Sequence, residues 1–544
     1  MSKVAHYLQE HLTGEVMTSP DARRYFATDG SILALLPSII VYPQNENDIR
    51  KACRFTWQLA ERGRVIPMTP RGAGTDQGGG ALGTGIMMAF PAHMNRVIEF
   101  DSKSGVVIVE PGLNYGKLQQ TLQTHGRFLP PFPASYEYST VGGAVANNAS
   151  GEKTVKYGST IDYVRGLRVV LANGEVIDTY RLNKRELNKK LGLSTFEGEI
   201  YRSLDTLLDE NKTVIESMVR STTKNAAGYN LADIKRKDGT FDLTPLFVGS
   251  QGTLGVISEI TMETEVYNPQ TTLIVAHFDT MEDVQAAVIE IKEKVDAPSA
   301  IEMVDKHLLE QVEAINPNQL KGTVEAPYPA AVLLIEFDDG DRAQHKNVKK
   351  AKKILERYTS KVQEETDPQA QEKLWKIRHS SATVVTHNAG TRKALPIIED
   401  GIVPLDKFRE YITGVYDIFS RLRLEVAVWG HAGDANLHMQ PYLDLNQVGD
   451  RQQVFRLMDE YYNLVISLGG STSGEHNDGR LRAPYLEKMY GSEVYNLFRK
   501  IKKVCDPYGT MNPGVKLDVS LESIKPMVRT QFSMEHLYDH LPRS

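Results

Sequence analysis

Apolar and polar positions along the chain keep two rhythms: a spacing of three to four residues that marks helices, and an alternation that marks strands. Residues 3–13 predict a short helix, and Asn45 or Asn47 caps a second one running to about Arg62, with Ile49, Cys53 and Trp57 on one stripe. Residues 64–69, 85–90, 96–100 and 105–110 read as strands, Pro111-Gly112 turns the chain, and a helix follows near 114–125. Strands near 165–171 and 174–179 flank Asn173-Gly174, a hairpin signal. Residues 181–240 read as a helical, charged insertion, and the apolar stretch 246–262 closes this half. From 271 strands at 272–278, 331–337, 422–429 and 436–442 alternate with helices at 281–294, 343–357 and 450–468. That order predicts an antiparallel sheet covered by helices on one face, and an α+β fold overall.

One alternating stretch carries polar residues where apolar ones belong. In Trp429-Gly430-His431-Ala432-Gly433-Asp434-Ala435-Asn436-Leu437-His438, the glycines turn the chain around His431, and Asn436, His438 and Gln440 share one strand face. Such a face costs free energy unless its groups have partners. Gly474-Glu475-His476 follows. Clusters of this kind hold a metal, move a proton, or do both, and a purely structural histidine pair is equally open on the residues alone.

Three segments of the first half are rich in glycine and other small residues. Residues 71–80 have glycines at 72, 74, 78, 79 and 80, which let backbone N–H groups approach a phosphate. The spacing is not that of a dinucleotide fingerprint, and the Lys-Ser/Thr ending of a P-loop is missing. Residues 133–151 add Asn and Ser to small residues, which suits a surface pressed against a flat polar ligand. Gly249-Ser250-Gln251-Gly252-Thr253-Leu254-Gly255 repeats the character.

Length and composition narrow the class. A chain of 544 residues needs two or three domains, and 41% hydrophobic with 24% charged residues describes a globular protein. A net charge of -6 argues against nucleic acid as a partner. Two cysteines, Cys53 and Cys505, build neither a disulfide framework nor an iron–sulfur site, which fits a reducing cytoplasm. The N-terminal residues have no apolar signal core, and the run 32–42 is too short to span a bilayer. The expectation is a cytoplasmic protein, with peripheral contact to the inner membrane face as its extreme. The lysines of 343–357 read as a solvated helix face.

Arg71-Gly-Ala-Gly-Thr75, Thr140-Val-Gly-Gly-Ala144 and Gly249-Ser-Gln-Gly-Thr-Leu-Gly255 resemble the FAD-binding half of the vanillyl-alcohol oxidase/p-cresol methylhydroxylase superfamily. His431 to His438, Gly474-Glu475-His476 and Asn512-Pro513-Gly514 resemble its FAD-linked D-2-hydroxyacid dehydrogenase branch, which includes D-lactate, glycolate and D-2-hydroxyglutarate dehydrogenases. The resemblance implies a FAD-binding domain over 1–268 (insertion about 181–240), an antiparallel-sheet cap over 269–470, and a segment 471–544 that returns to complete the active site. It implies non-covalent FAD held by Arg71, Gly72, Ala73, Gly74, Thr75 and Asp76, by Pro133, Ser135, Thr140, Gly142, Gly143, Asn147, Asn148 and Gly151, and by Gly252, Val256, Ile257 and Asn512. It further implies a divalent metal, zinc in relatives, on His431, His438 and Glu475, with His476 as general base and Arg378 on the substrate carboxylate. The substrate would be a small 2-hydroxy acid.

The sequence departs from the branch in two places. Asn477-Asp478-Gly479 follows His476 where relatives carry another glycine, and Glu399-Asp400 stands where they carry a lysine, with Lys393 the nearby substitute. Both bear on which acid is used. The segment 474–484 and Asn225-Ala-Ala-Gly-Tyr229 look most like the large bacterial enzymes, which carry a fused iron–sulfur domain. With two cysteines in this sequence, electrons are expected to leave to a separate acceptor: a quinone, an electron-transfer flavoprotein or an iron–sulfur protein. A homodimer is the expected assembly. The alternatives are a metal-independent flavin alcohol oxidase, a non-catalytic flavin-binding subunit, and a metallohydrolase that leaves the glycine-rich segments without a role.

Overall fold

The protein is described by a computed structural model over residues 2–386 and 391–534. The end of the segment 471–544, residues 535–544, lies outside the described residues.

Two sheets frame the first half. One has the strand order Glu15–Met17, Ile39–Tyr42, Ile86–Ala89, Met68–Arg71, parallel except for its first pair. The other runs Val97–Asp101, Val106–Val109, Val256–Glu263, Val164–Val170, Val176–Thr179, all antiparallel. Val256–Glu263 alternates buried with half-buried residues along its length, the signature of a strand with one core face. The strand predicted at 64–69 begins only at Met68: Val65 is half exposed, and Pro67 has no N–H to give a ladder.

The second half is built on seven strands in the order Lys361–Glu365, Thr272–Phe278, Ala331–Phe337, Ala300–Asp305, Val426–His431, Asn436–Leu443, Lys393–Ala394. Every neighbouring pair is antiparallel. The one-face expectation is wrong. Ile274, Ala276 and Phe278 pack with helices Met281–Lys294, Asp341–Leu355, Phe408–Leu422 and Val448–Ser467. The alternate residues Leu273 and Val275 pack with Lys306–Ile315 and Pro368–His379. The strands are apolar on both sides, so both faces need a cover; the sequence reading missed the helices that supply the second.

Residues 181–240 also differ from expectation. Helices Lys184–Leu191, Phe196–Glu210 and Lys212–Glu216 occupy the first part, but 217–243 forms neither helix nor strand. Asn225 turns the chain there by accepting from Ala227 N at 3.0 Å. The segment then runs inward, with Ala227, Tyr229 and Leu231 in the same core as Phe196 and Leu204.

The halves are tied by charge. Lys153 pairs with Glu336, and Lys156 reaches Asp338 at 2.5 Å and Asp339 at 2.8 Å, while Tyr157 Oη donates to Asp338 at 2.9 Å. They are also tied by the returning tail. Asn512 accepts from Thr69 Oγ1 at 3.0 Å and donates to the carbonyls of Gly80 at 2.9 Å and Gln251 at 2.8 Å, joining three loops of the first half.

The middle glycine-rich segment contains a helix the sequence reading did not foresee, Val141–Asn147, capped by Thr140, whose Oγ1 accepts from Gly143 N at 3.1 Å. Gly142 is required at its first turn: a Cβ there would sit 2.6 Å from the carbonyl oxygen of Pro111. Gly142→Val is expected to lower stability by about 1–3 kcal/mol through this overlap, read as a lower midpoint of urea unfolding; an unchanged midpoint would show that the two loops separate freely.

Candidate active site

The strand pair Val426–His431 and Asn436–Leu443 brings His431 opposite Asn436 and Trp429 opposite His438. Gly430 makes the bend, with φ +137°, and a Cβ there would lie 2.9 Å from Asn436 O. His431, Asn436, His438 and Gln440 therefore share the sheet face that carries Trp429 and Val275. Glu302 projects on that face from the adjacent strand. Two further pieces close over it: the loop 471–479 and the residues Glu399-Asp400.

Glu475 is the meeting point. Its Oε1 lies 3.1 Å from His431 Nε2, 3.2 Å from His438 Nε2 and 3.5 Å from His476 Nε2. Its Oε2 accepts from Lys224 Nζ at 2.6 Å and Ser150 Oγ at 2.8 Å. Behind the imidazoles stand more carboxylates. Glu302 Oε1 is 2.7 Å from His431 Nδ1, and its other oxygen accepts from Arg378 Nε at 2.6 Å. Glu399 is 2.6 Å from His476 Nδ1, 2.5 Å from Arg482 and 3.6 Å from His438 Nδ1. The amide of Gln77, oriented NH2 inward, also reaches Glu399, at 2.7 and 2.8 Å. Asp400 accepts from the backbone N–H groups of Glu475 at 3.0 Å and His476 at 2.8 Å, which fixes the loop that carries both. His476 is the most open member, with 28% of its side chain exposed against 4% for His431 and 7% for His438.

Charges this deep hold one another in place. Burial opposes the charge on His431, but Glu302 and Glu475 outweigh it and push its pKa up to about 9. Burial likewise opposes His476, and Glu399 with Asp400 pushes it up to about 9. Burial disfavours ionised Glu475 too, yet Lys224 and His431 hold its carboxyl well below the ordinary range. Lys224 stays above the ordinary lysine value because Glu475 and Asp434 overcome its burial.

A cleft open to solvent lies beside this cluster. Its walls are Gly72, Ala73, Gly74, Thr75 and Asp76; Thr140, Gly142, Gly143 and Asn147; and Gly252 and Ile257, all foreseen from the sequence, with Pro70, Arg71 and Gln251 among the rest. From Gly72 to Asp76 no backbone N–H donates to another described residue, which leaves five consecutive donors for a ligand's oxygens. The cleft adjoins the histidine cluster through Asn477, whose Nδ2 donates to Asn147 O at 3.1 Å and Gly249 O at 2.9 Å.

Residues 37–180 match the FAD binding domain family, and residues 268–515 match the C-terminal domain of FAD linked oxidases. The chain thus carries both domains of the FAD-linked oxidases. The chain is 29% identical over 521 residues to D-2-hydroxyglutarate dehydrogenase of Escherichia coli, covering 93% of its own length and 50% of that protein's. It is 29% identical over 482 residues to glycolate oxidase subunit GlcD of Bacillus subtilis, covering 88% of each. The chain spans about half the length of the curated D-2-hydroxyglutarate dehydrogenases it matches. In fold it is similar to p-cresol methylhydroxylase, with a TM-score of 0.70 at 13% identity over 96% of this chain and 97% of that one. The α+β architecture with a p-cresol methylhydroxylase-type FAD half holds. Among the described residues no helix is long and apolar enough to cross a membrane.

The donors also fit a divalent cation. One ligand atom each from His431, His438 and Glu475 lies within 4.8 Å of the others, all three residues are buried, and His431 has the carboxylate on its second nitrogen that metal-binding histidines use. Other sequence-predicted residues lie elsewhere. The Arg71 guanidinium turns from the cleft and donates to Thr28 O at 2.8 Å, so only its backbone serves the wall. Pro133 and Ser135 cap a turn by accepting from Tyr136 N and Tyr138 N, both at 2.9 Å. Asn148, at φ +52°, ends the helix and accepts from Ile161 N at 2.9 Å. Gly151 packs under Phe132, Val256 is in the core, and Asn512 ties loops. Lys393 pairs with Leu443 at the sheet edge. Lys224, Ser150, Glu302 and Arg482 were missed, since no local spacing marks them.

A cation held by His431 would compete with its proton. Without metal, a histidine raised from 6.5 to about 9 adds stability that is complete below the unfolded pKa and is lost as pH rises through 9. Chelator-treated protein is therefore expected to show a falling Tm between pH 6.5 and 9, while its affinity for added zinc rises over the same range. Zinc affinity independent of pH would contradict the ligand set.

Proposed function

We propose that this protein oxidises a D-2-hydroxy acid to the 2-oxo acid and passes the electrons to a separate acceptor, a quinone, an electron-transfer flavoprotein or an iron–sulfur protein. The observation that carries the reading is the convergence of His431, His438 and Glu475 beside His476, next to a cleft with the walls of a flavin site. The names of the relatives support the same class of reaction. We read 1–268 with the tail from 471 as the FAD part and 269–470 as the cap.

FAD held in the cleft by the backbone of 72–76 and by Thr140, Gly142, Gly143 and Gly252 would supply the acceptor for the C2 hydride. A divalent cation on His431, His438 and Glu475, zinc by its two imidazoles and one carboxylate, would polarise the substrate hydroxyl. The remaining work belongs to side chains. His476 takes the hydroxyl proton at Nε2, and Glu399 on Nδ1 fixes the ring and supports the charge it gains. Arg378 keeps Nε on Glu302 and offers its terminal nitrogens to the substrate carboxylate. Glu302 thus aligns both the metal-facing His431 and the substrate-facing arginine.

The first test is anaerobic mixing with a panel of D- and L-2-hydroxy acids while oxidised flavin absorbance is followed. Rapid bleaching by a D-acid and not its L-enantiomer is the expected result; flavin that no hydroxy acid bleaches overturns the reading.

His476→Ala is expected to lower kcat by about 10²–10⁴-fold, whereas Arg378→Ala raises KM by about tenfold or more. Normal turnover in both variants would refute these assignments.

As a base, His476 works only after losing the proton that Glu399 and Asp400 retain, so kcat/KM should climb with pH on its acid limb. Glu399→Gln withdraws one of those charges, and the limb should move to lower pH by about one unit. A limb that stays in place would remove His476 from the base role.

A further inference from the structure

The two oxygens of Glu475 have unlike surroundings. All three imidazole contacts, at 3.1, 3.2 and 3.5 Å, are made to Oε1. Oε2 instead accepts from Lys224 Nζ at 2.6 Å and Ser150 Oγ at 2.8 Å, and Lys224 Nζ donates to Ser150 Oγ at 3.0 Å, which closes a triangle. The lysine is as buried as the carboxylate, with 1% and 4% of their side chains exposed.

Two distant stretches are built to reach that one oxygen. Ser150 ends the middle small-residue segment. Lys224 lies in the irregular stretch after the helices of 184–216, which is anchored just beyond the lysine: Ala226 N donates to Ser473 O at 3.0 Å, and Gly228 N to Asp478 Oδ2 at 2.8 Å. These anchors fasten the lysine to the loop that carries Glu475. A buried ammonium is costly to desolvate unless its partner is fixed, and here the partner is a ligand of the proposed metal centre.

A carboxylate binds a cation through one oxygen or through both. Binding through both fills the coordination position that a catalytic centre keeps for its substrate. We propose that Lys224 is a positioning residue for the metal centre: with Ser150 it reserves Glu475 Oε2, so that only Oε1 faces the cation and a coordination position stays open. The inference rests on the metal reading above. It carries a signature that a merely structural ion pair lacks. The ammonium repels a nearby cation, so its removal strengthens metal binding, while the second oxygen, once released, raises the coordination number.

The test is a Co²⁺ titration of the chelator-treated flavoprotein, read by d–d absorption at wavelengths beyond the flavin band. Lys224→Met is expected to bind Co²⁺ about tenfold tighter or more, with d–d absorption reduced several-fold as the coordination number grows. Lys224→Arg should keep the wild-type spectrum, and Ser150→Ala should shift both readouts the same way by less. Ser150→Ala decides the matter if Lys224→Met loses its fold, as judged by flavin content and Tm. Wild-type affinity and spectrum in these variants, or weaker binding with an unchanged spectrum, overturn the inference alone. A wild-type protein that takes up no Co²⁺ overturns the metal reading and the inference with it.

Discussion

Four buried carboxylates, Glu302, Glu399, Asp400 and Glu475, have to be compensated in one place, and much of the surrounding structure follows from how this is done. An isolated buried anion is too costly to keep. Each one here has a specific answer: Arg378 and His431 for Glu302, Arg482 and His476 for Glu399, Lys224 for Glu475, and a set of backbone N–H groups for Asp400. These answers come from the cap sheet, a helix, the irregular stretch near 224 and the returning loop. The pieces of the chain are held together by the same charges that prepare the site.

The cleft beside it follows a different principle. Its walls are small residues and unpaired backbone donors, and their side chains add little. The loop from Gly72 to Gly80 serves both regions, since Gly72 to Asp76 line the cleft while Gln77 reaches Glu399. A change in the flavin environment and a change in the histidine cluster therefore share a mechanical path a few residues long.

The sequence was most readable where chemistry is local. Strict alternation placed Asn436, His438 and Gln440 on one strand face, and glycine spacing located most of the cleft wall. Legibility failed where a residue acts through a partner far along the chain. Glu302 meets His431 across 129 positions and Lys224 meets Glu475 across 251, and no periodicity records either. It failed again where small or polar residues do structural work inside a functional segment, as with Asn148 at its helix end and Asn512 between three loops. The second helical layer was missed because strands apolar on both faces have no alternation to read.

Asn512 also sets an order of events. Its side chain is what joins the loops at Thr69, Gly80 and Gln251, and its partner Thr69 lies 443 positions earlier. Ser150 likewise waits 325 positions for Glu475. During synthesis the first half can build its sheets from nearer contacts, but the cleft stays open-jawed until Asn512 has left the ribosome. Contacts of such span are slow to close and leave sticky surfaces uncovered meanwhile. Flavin capture then waits for the whole cap to be made, although the residues that line the cleft come first.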